Sequence, residues 1–597
     1  MRSPSATIPH RLGGSLSVGA LGLACWAFAV SHAHFSSMGA LGLITVLTWP
    51  YYVGLILIAV TFSFELLRTE LRPRRLTILL MMLVVVLFAT SSAIAPTPSL
   101  SDSYLHSGFI SYILQHGHVL DNFDARFSWP GTFAFGALLV NFVGQSSAWD
   151  FLRWFPLVIE LLYLAPLLAI ARWSGVSRRA GYLGVAFFYT GNWIYQDYFS
   201  PQGLNFLFFL VVVALALALW KPLDSPQSRV AGLARRWRAA RKTITLRRIE
   251  GLDSDSRWDR STTAAGVALI CILVAAAAIS HQLTPYAMIL ALATLLIGRR
   301  LARPEILVFA VIATVCWLSV GATNYWIGHL SNIFGSFGNL NSTIGQNVGN
   351  RVTGNSTHII IVDTRIGLTA VLFILAGVGV LRRATDDRAI ELLAGVPFAL
   401  LVVQSYGGEG LLRAALFSLP FTGLLAASAF LPRSTGTIAP WLRTPPLRIL
   451  GPAAVKVAIA LTLCLSAVAM TLVRGGNDAY ESYSLGELAA VNYVYDHIHP
   501  RDSIGMVAPY LPIFQSDVGR VSYVIASTDG SSIKYDISTM LSARPNYVIL
   551  SQSQNAWGQI VQGYPAGWQT QVSTALLKNF YKTVARWNTA VVYFAEP

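Results

Sequence analysis

The sequence predicts an all-α polytopic membrane domain followed by a small α/β domain. Three observations predict it. The 597-residue chain is 54% hydrophobic and only 12% charged, where a soluble globular protein is about 25% charged. Its apolar residues gather in runs close to the roughly 20 residues that a spanning helix needs. Its net charge of +15 sits in short basic clusters between these runs, a pattern that sets membrane topology and argues against nucleic acid as a partner.

The runs lie at about 15–33, 40–66, 76–96, 150–172, 180–198, 202–220, 263–281, 285–299, 305–323, 366–382, 389–404, 411–431 and 452–473, which makes about thirteen spans. The first follows Arg2 and Arg11 as a leader would, but it is long and another span follows directly, so it reads as a retained helix. The apolar piece at 131–145 is too short to cross and reads as re-entrant or interfacial. With the N-terminus cytoplasmic, the inner loops are the basic ones. They carry Arg68, Arg72, Arg74 and Arg75; Arg172, Arg178 and Arg179; Arg299, Arg300 and Arg303; Arg382, Arg383 and Arg388; and Arg433, Arg443 and Arg448. The long inner loop at 221–262, with Arg235, Arg236, Arg238, Arg241 and Lys242, reads as a solvated segment on anionic headgroups. An odd number of spans places the C-terminal domain outside the cytoplasm.

The membrane pattern fills 1–473 and is lost over 474–597. There the sequence predicts a helix at 485–498 after Ser484, strands at 504–508, 521–526, 547–550 and 591–594, and a helix near 569–583, together a small α/β layer domain. His497 and His499 end the first of these helices and read as partners for its last carbonyls. Cys25, Cys271, Cys316 and Cys464 all lie in apolar runs and read as small core residues.

The groups able to do chemistry gather on the outer side. The first large outer loop, 97–149, opens S-D-S-Y-L-H, with Asp102 and His106 one helical turn apart. Asp121, Asp124 and Arg126 follow. The next outer turn, Q-D-Y-F-S-P-Q-G, holds Asp197. Another, S-H-Q-L-T-P-Y, holds His281 and Gln282, and a later one, Q-S-Y-G-G-E-G-L-L-R, holds Glu409 and Arg413. Ionisable groups at membrane depth are costly and mark function. A carboxylate here can act as a general base or hold a divalent cation, with Asp102 the candidate ligand. An arginine can clamp a phosphate. Structural readings stand beside these. Asp102 and Asp197 can cap helices, and His281 can bond a neighbouring helix. Glu409 and Arg413 can pair at i, i+4. Asp121 and Asp124, beside Asn122, read as turn residues.

This layout resembles the GT-C membrane glycosyltransferases. The resemblance is carried by Asp102 soon after an early span, the long first outer loop closing in the F-S-W-P-G turn of Phe127 to Gly131, Asp197 in a short outer turn, and the extracytoplasmic C-terminal domain. Two features depart from the family pattern. The first acid follows about the third span instead of the first, and no double-acid motif is present, since Ser103 separates Asp102 from Tyr104. The resemblance implies a polyprenyl-phosphate-linked sugar as donor and an extracytoplasmic glycan, lipid or protein as acceptor, with inversion at the sugar. It implies Asp102 as the base and Asp197 as the residue that orients the acceptor or supports Asp102. Arg413 with His281 would neutralise the leaving phosphate, and His106, Gln282 and Glu409 complete the substrate-binding set. A polysaccharide polymerase or ligase using lipid-linked glycans, and a transporter or flippase, remain the competing functions. The acids sit at the outer rim with no internal repeat, which counts against transport. The outer loop with sequons at Asn341 and Asn355 reads as a cover over the site.

Overall fold

The computed structural model describes residues 14–120, 123–145, 148–220, 257–325, 354–382, 388–403, 409–432, 452–516, 518–528 and 530–596. Most of loop 221–262, the sequon at Asn341, and Asp121 and Asn122 lie outside them.

Among the described residues nine helices are long and apolar enough to cross a membrane. They are α1 (Gly14–Ser31), α2 (Trp49–Leu66), α3 (Pro73–Ile94), α6 (Phe155–Trp173), α8 (Pro201–Leu219), α9 (Arg260–Ser280), α12 (Ser356–Arg382), α13 (Gly410–Phe430) and α14 (Pro452–Gly475). The remaining expected spans are shorter helices: α7 (Arg178–Gly191), α10 (Thr284–Ile297), α11 (Pro304–Val320) and an apolar stretch at Ala389–Ala399. Two helices lie in the first outer loop, α4 (Ser101–His116) and α5 (Gly131–Val143). At 13 residues, α5 falls short of the roughly 20 needed to span. It packs on α4 and α9.

Several boundaries move for identifiable reasons. Helices α2, α3, α6, α8, α10 and α11 begin with proline in their first two positions, where the missing N–H had no partner to lose. The run at 40–66 therefore becomes helical only at Trp49, after short 3-10 turns. The run at 180–198 stops being helical at Gly191, and the chain turns through Tyr195 at φ 60° before Pro201 starts α8. Helix α12 starts at Ser356, ten residues ahead of the apolar run, because Asn355 accepts a hydrogen bond from the His358 amide at 3.0 Å and caps it. Buried α13 packs closely on α7 and α12. A Cβ at Gly423 would lie 2.6 Å from the Gly184 carbonyl oxygen, so glycine is what lets α13 and α7 meet at this distance.

The C-terminal domain is a five-stranded sheet in the order β2-β1-β3-β5-β4. Strands β1 (Ser503–Met506), β2 (Ser522–Ile525) and β3 (Tyr547–Ser551) are parallel; β5 (Ala590–Ala595) and β4 (Tyr581–Arg586) run antiparallel on the β3 side. Alternate side chains of β3 face opposite layers. Tyr547 and Ile549 join Ala490, Val491 and Val494 of α15 (Leu485–His497). Val548 and Leu550 join Met540 of α16 (Ile533–Ala543) and Val572 and Leu576 of α18 (Trp568–Lys578). A further helix, α17 (Gln552–Ile560), follows β3. Helix α15 opens with a capping box, in which Ser484 Oγ accepts from the Glu487 amide and Glu487 Oε2 accepts from the Ser484 amide at 2.8 Å. The helix expected over 569–583 ends at Lys578, and Tyr581–Arg586 is the edge strand β4. Phe580, at φ 64°, makes the break.

Candidate functional site

Helix α4 sets the frame. The segment before it is stitched to the stretch that follows α14. Thr97 Oγ1 donates to the Tyr483 carbonyl at 2.7 Å, the Ser99 and Ser482 hydroxyls meet at 2.9 Å, and the Leu100 amide donates to the Glu481 carbonyl at 2.7 Å. These bonds hold Leu100, a branched residue, at φ 69°, a conformation that persists only where the surroundings enforce it. Asp102 follows in the first turn of α4. The N-cap is Leu100, and no side chain caps the helix, so Asp102 is not a cap.

The Asp102 carboxylate instead accepts from Arg126 Nη1 at 3.1 Å. Arg126 is itself pinned by Asp124 through Nε and Nη2, both at 2.9 Å, while Asp124 Oδ1 accepts the Arg126 amide at 2.8 Å. Burial alone would raise the Asp124 carboxyl, but the hydrogen bonds and charge of Arg126 hold it below its ordinary value. Asp124 is therefore the turn residue expected, and an arginine clamp as well. Both members of the Asp102–Arg126 pair stay accessible. His106, one turn along α4, is buried. Its Nδ1 donates to the Phe199 carbonyl at 2.7 Å, and its ring lies flat on Tyr198 with centroids 5.7 Å apart. Burial and the nearby Arg126 lower its pKa to about 4, so it is neutral at pH 7.

Tyr198 lies in the turn between α7 and α8. Desolvation and the Asp102 charge push its hydroxyl pKa up, and Arg413, Glu409 and Arg126 act on it as well. Arg413, buried in the first turn of α13, donates to Glu409 Oε2 at 2.5 Å and to Gln196 Oε1. The expected i, i+4 pair exists, but Arg413 also grips the turn that carries Asp197. His281 is buried beside Arg413, and both burial and that charge lower its pKa to about 3. Its Nδ1 accepts from the Leu283 and Thr284 amides at 3.3 and 3.1 Å, so it serves the start of α10. Gln282 donates through Nε2 to the Tyr325 hydroxyl at 2.9 Å.

Asp197 turns the other way. Its two oxygens accept from Arg474 Nη1 at 3.1 Å and Nη2 at 2.6 Å, and both residues are buried. The Arg474 guanidinium lies 4.5 Å over the Phe88 ring and 4.7 Å over Tyr195. The space beside this pair, bordered by Ser91, Arg153, Tyr195 and Tyr198, is about 20 Å³, room for about one water. Close by, Asp478 accepts from Ser91 Oγ at 2.8 Å, and Glu160 of α6 accepts from Asn192 Nδ2 at 2.7 Å. His106 thus stacks on Tyr198 and Arg413 holds Gln196, two residues before it, whereas the Asp197 carboxylate is taken by Arg474.

Arg474, Asp478, Glu160 and Tyr198 escaped the sequence reading. Arg474 carried a signal, since an arginine at the outer end of the last span runs against the positive-inside pattern. Among the described residues no three His, Cys, Asp or Glu side chains come together as metal ligands, and Asp102 is held by a guanidinium. The described residues at Asp102 do not fit a divalent cation, and no step is routed through one. His497 Nδ1 bonds the Tyr493 carbonyl at 2.7 Å, the carbonyl partnership expected of it.

No family model and no curated protein matches the chain. Solved structures similar to the chain are similar at low identity. The chain is similar to ArnT from Cupriavidus metallidurans bound to undecaprenyl phosphate, at 14% identity and a TM-score of 0.48, over 87% of this chain and 99% of that one. It is similar to the Archaeoglobus fulgidus oligosaccharyltransferase, at 11% identity and a TM-score of 0.47, over 86% of this chain and 73% of that one. It is also similar to the arabinofuranosyltransferase AftD from Mycobacteria, at 13% identity and a TM-score of 0.42, over 88% of this chain and 40% of that one.

Proposed function

We propose that the chain is a multi-pass membrane glycosyltransferase that moves a sugar from a polyprenyl-phosphate donor to an acceptor outside the cytoplasm. One arrangement carries this reading: an accessible carboxylate, Asp102, and His106, which stacks on Tyr198, share helix α4, while a buried cation, Arg413, donates to Gln196 in the same turn as Tyr198. A lipid phosphate can reach such a place from the bilayer, and a hydroxylated acceptor can reach it from water. Asp102 takes the proton of the acceptor hydroxyl as that oxygen attacks the anomeric carbon. The bond from that carbon to the phosphate oxygen breaks, and its electron pair leaves with the phosphate. Arg413 supports the developing charge. Attack from the face opposite the phosphate inverts the sugar.

Arg126, fixed by Asp124, orients Asp102. His106, neutral and bonded to the Phe199 carbonyl, positions the 197–199 turn. His281 is neutral and occupied as a cap, so the phosphate charge falls to Arg413. Asp197 is a positioning residue that anchors its turn through Arg474. The basic inner clusters support a cytoplasmic N-terminus and an outer C-terminal domain, the division falling near residue 473. A reporter fused after Pro597 should then be active only outside the cytoplasm.

The deciding experiment is transfer from a radiolabelled polyprenyl-phosphate sugar by protein in nanodiscs. Asp102→Asn keeps the shape of the side chain and removes the base, so transfer should fall about 100- to 10,000-fold. Near-normal transfer by a folded Asp102→Asn protein overturns the assignment.

A further inference from the structure

Between α4 and the C-terminal domain lies a half-open cleft of about 910 Å³, within the size range of ligand sites. Its walls are fixed. A Cβ at Gly108 in α4 would overlap the Phe514 carbonyl oxygen, and one at Gly519 would overlap the Leu120 side chain, so backbone and side chain already touch at both places. Val518 is buried with Phe109 and Ile110 of α4. Phe514 stands at φ 74°, its amide donating to the Tyr495 hydroxyl at 2.9 Å. The opening is thus bounded by clamped surfaces.

Its lining is chemically specific. The α4 wall presents Ser111, Tyr112 and Gln115, and the domain wall presents Asn492, Gln515 and Ser516, together with Arg520, which is already engaged within the protein. Amides both donate and accept, and serine hydroxyls do the same. His116 lies nearly parallel to the Tyr112 ring at 4.1 Å, giving a flat stacked surface beside the amides. Gln515 is buried, and its Nε2 donates to Asn492 Oδ1 at 2.8 Å. Its buried Oε1 meets no donor among the described residues.

We propose that this cleft binds an uncharged carbohydrate chain, held by the amides of Gln115, Asn492 and Gln515 and stacked against the Tyr112–His116 pair. Alternating hydroxyls on a sugar ring match groups that donate and accept side by side, and its C–H face suits a flat aromatic surface. A peptide fits less well. The described lining contains no strand residue to which a peptide could add as a further strand, and only three of its residues, Leu120, Leu488 and Val518, are aliphatic. The inference deepens the function proposed above and rests on it for the chemistry that follows binding. It names the acceptor as a glycan and places its chain along the α4 wall, leading toward Asp102.

The test uses the intact protein in nanodiscs, without donor, on an array carrying neutral hexasaccharides of several linkages, anionic hexasaccharides and uncharged hexapeptides. Neutral hexasaccharides should be retained. Asn492→Trp, which fills the cleft from an exposed position, should cut that signal at least tenfold with unchanged thermal unfolding. Gln115→Ala should cut it by a smaller factor. Retention of peptides alone, retention of anionic glycans alone, no retention at all, or neutral-glycan signals untouched by Asn492→Trp would each overturn the inference. Because binding is read without donor, a cleft that holds glycan in a protein that transfers no sugar would sink the proposed function and leave this site standing.

Discussion

Two aspartate–arginine pairs, one in the 97–149 loop and one that starts from the turn between α7 and α8, differ in almost every physical respect. In Asp102–Arg126 the side chains are 52% and 40% exposed; in Asp197–Arg474 they are 3% and 7% exposed. The first joins residues 24 positions apart in one loop, and the second joins residues 277 apart. An exposed pair contributes about 0–1 kcal/mol to stability, so Asp102 is free to trade its partner for a substrate hydroxyl. A buried pair cannot be opened cheaply, because either partner left alone costs about 3–5 kcal/mol. Two acids that look alike in the sequence therefore sit in different physical settings, one open to exchange of its partner and one closed to it.

The comparison breaks if the two acids respond alike. Asp102→Asn should abolish most transfer and leave thermal unfolding in detergent nearly unchanged, whereas Asp197→Asn should lower the unfolding temperature. Equal losses of transfer with no loss of stability in both would erase the distinction. Arg474→Ala should destabilise by about 3–5 kcal/mol, since it strands a buried carboxylate, and adding Asp197→Leu should restore much of the loss. An Arg474→Ala protein as stable as wild type would show that the pair is not closed to water.

The histidines sharpen the same contrast by pH. His106 titrates at about 4 and His281 at about 3, below the ordinary value of about 6.5. The unfolded chain takes up these protons first. The stabilising contribution is complete above about pH 6.5 and is lost as pH falls from there to about 4 for His106 and about 3 for His281, at up to about 1.4 kcal/mol per pH unit for each. His106→Asn should flatten that slope, measured as unfolding temperature against pH; an unchanged slope would remove His106 from the account. The smallest effect expected is at Arg413. Arg413→Ala should weaken donor binding about tenfold, in line with the roughly 1.5–3 kcal/mol of a hydrogen bond to a charged group, and Arg413→Lys should weaken it less. Equal donor binding by wild type and Arg413→Ala would reduce the residue to its pairing with Glu409 and Gln196.

Much of the architecture was legible because the bilayer imposes a length and a composition on each span. The runs at 76–96, 202–220 and 411–431 lie close to helices α3, α8 and α13. The strands β1, β3 and β5 were legible as short apolar stretches. Strand β4 was not, because Tyr581–Arg586 is an edge strand with several exposed side chains and reads as the tail of a helix. Helix α17, Q-S-Q-N-A-W-G-Q-I in sequence, was missed because few of its residues are apolar.

The site was legible as a set of outer turns, since single acids at span ends stand out. Its wiring was not. Nothing local in Q-D-Y-F-S shows that Gln196 faces Arg413 while Asp197 faces an arginine at the far end of α14. Nor does a histidine at a span end reveal that its ring will accept two backbone amides, as His281 does.

The stitching of residues 97–100 to residues 481–483 bears on when this protein becomes competent during its own synthesis. The loop that opens α4 is made early, yet the amide of Leu100 has its acceptor only once Glu481 has left the ribosome, and Asp197 has its counter-ion only once Arg474 has done so. Some four-fifths of the chain must be translated before Asp102 can be held in its final place. A nascent chain halted before residue 474 would carry nearly every span and neither of these bonds.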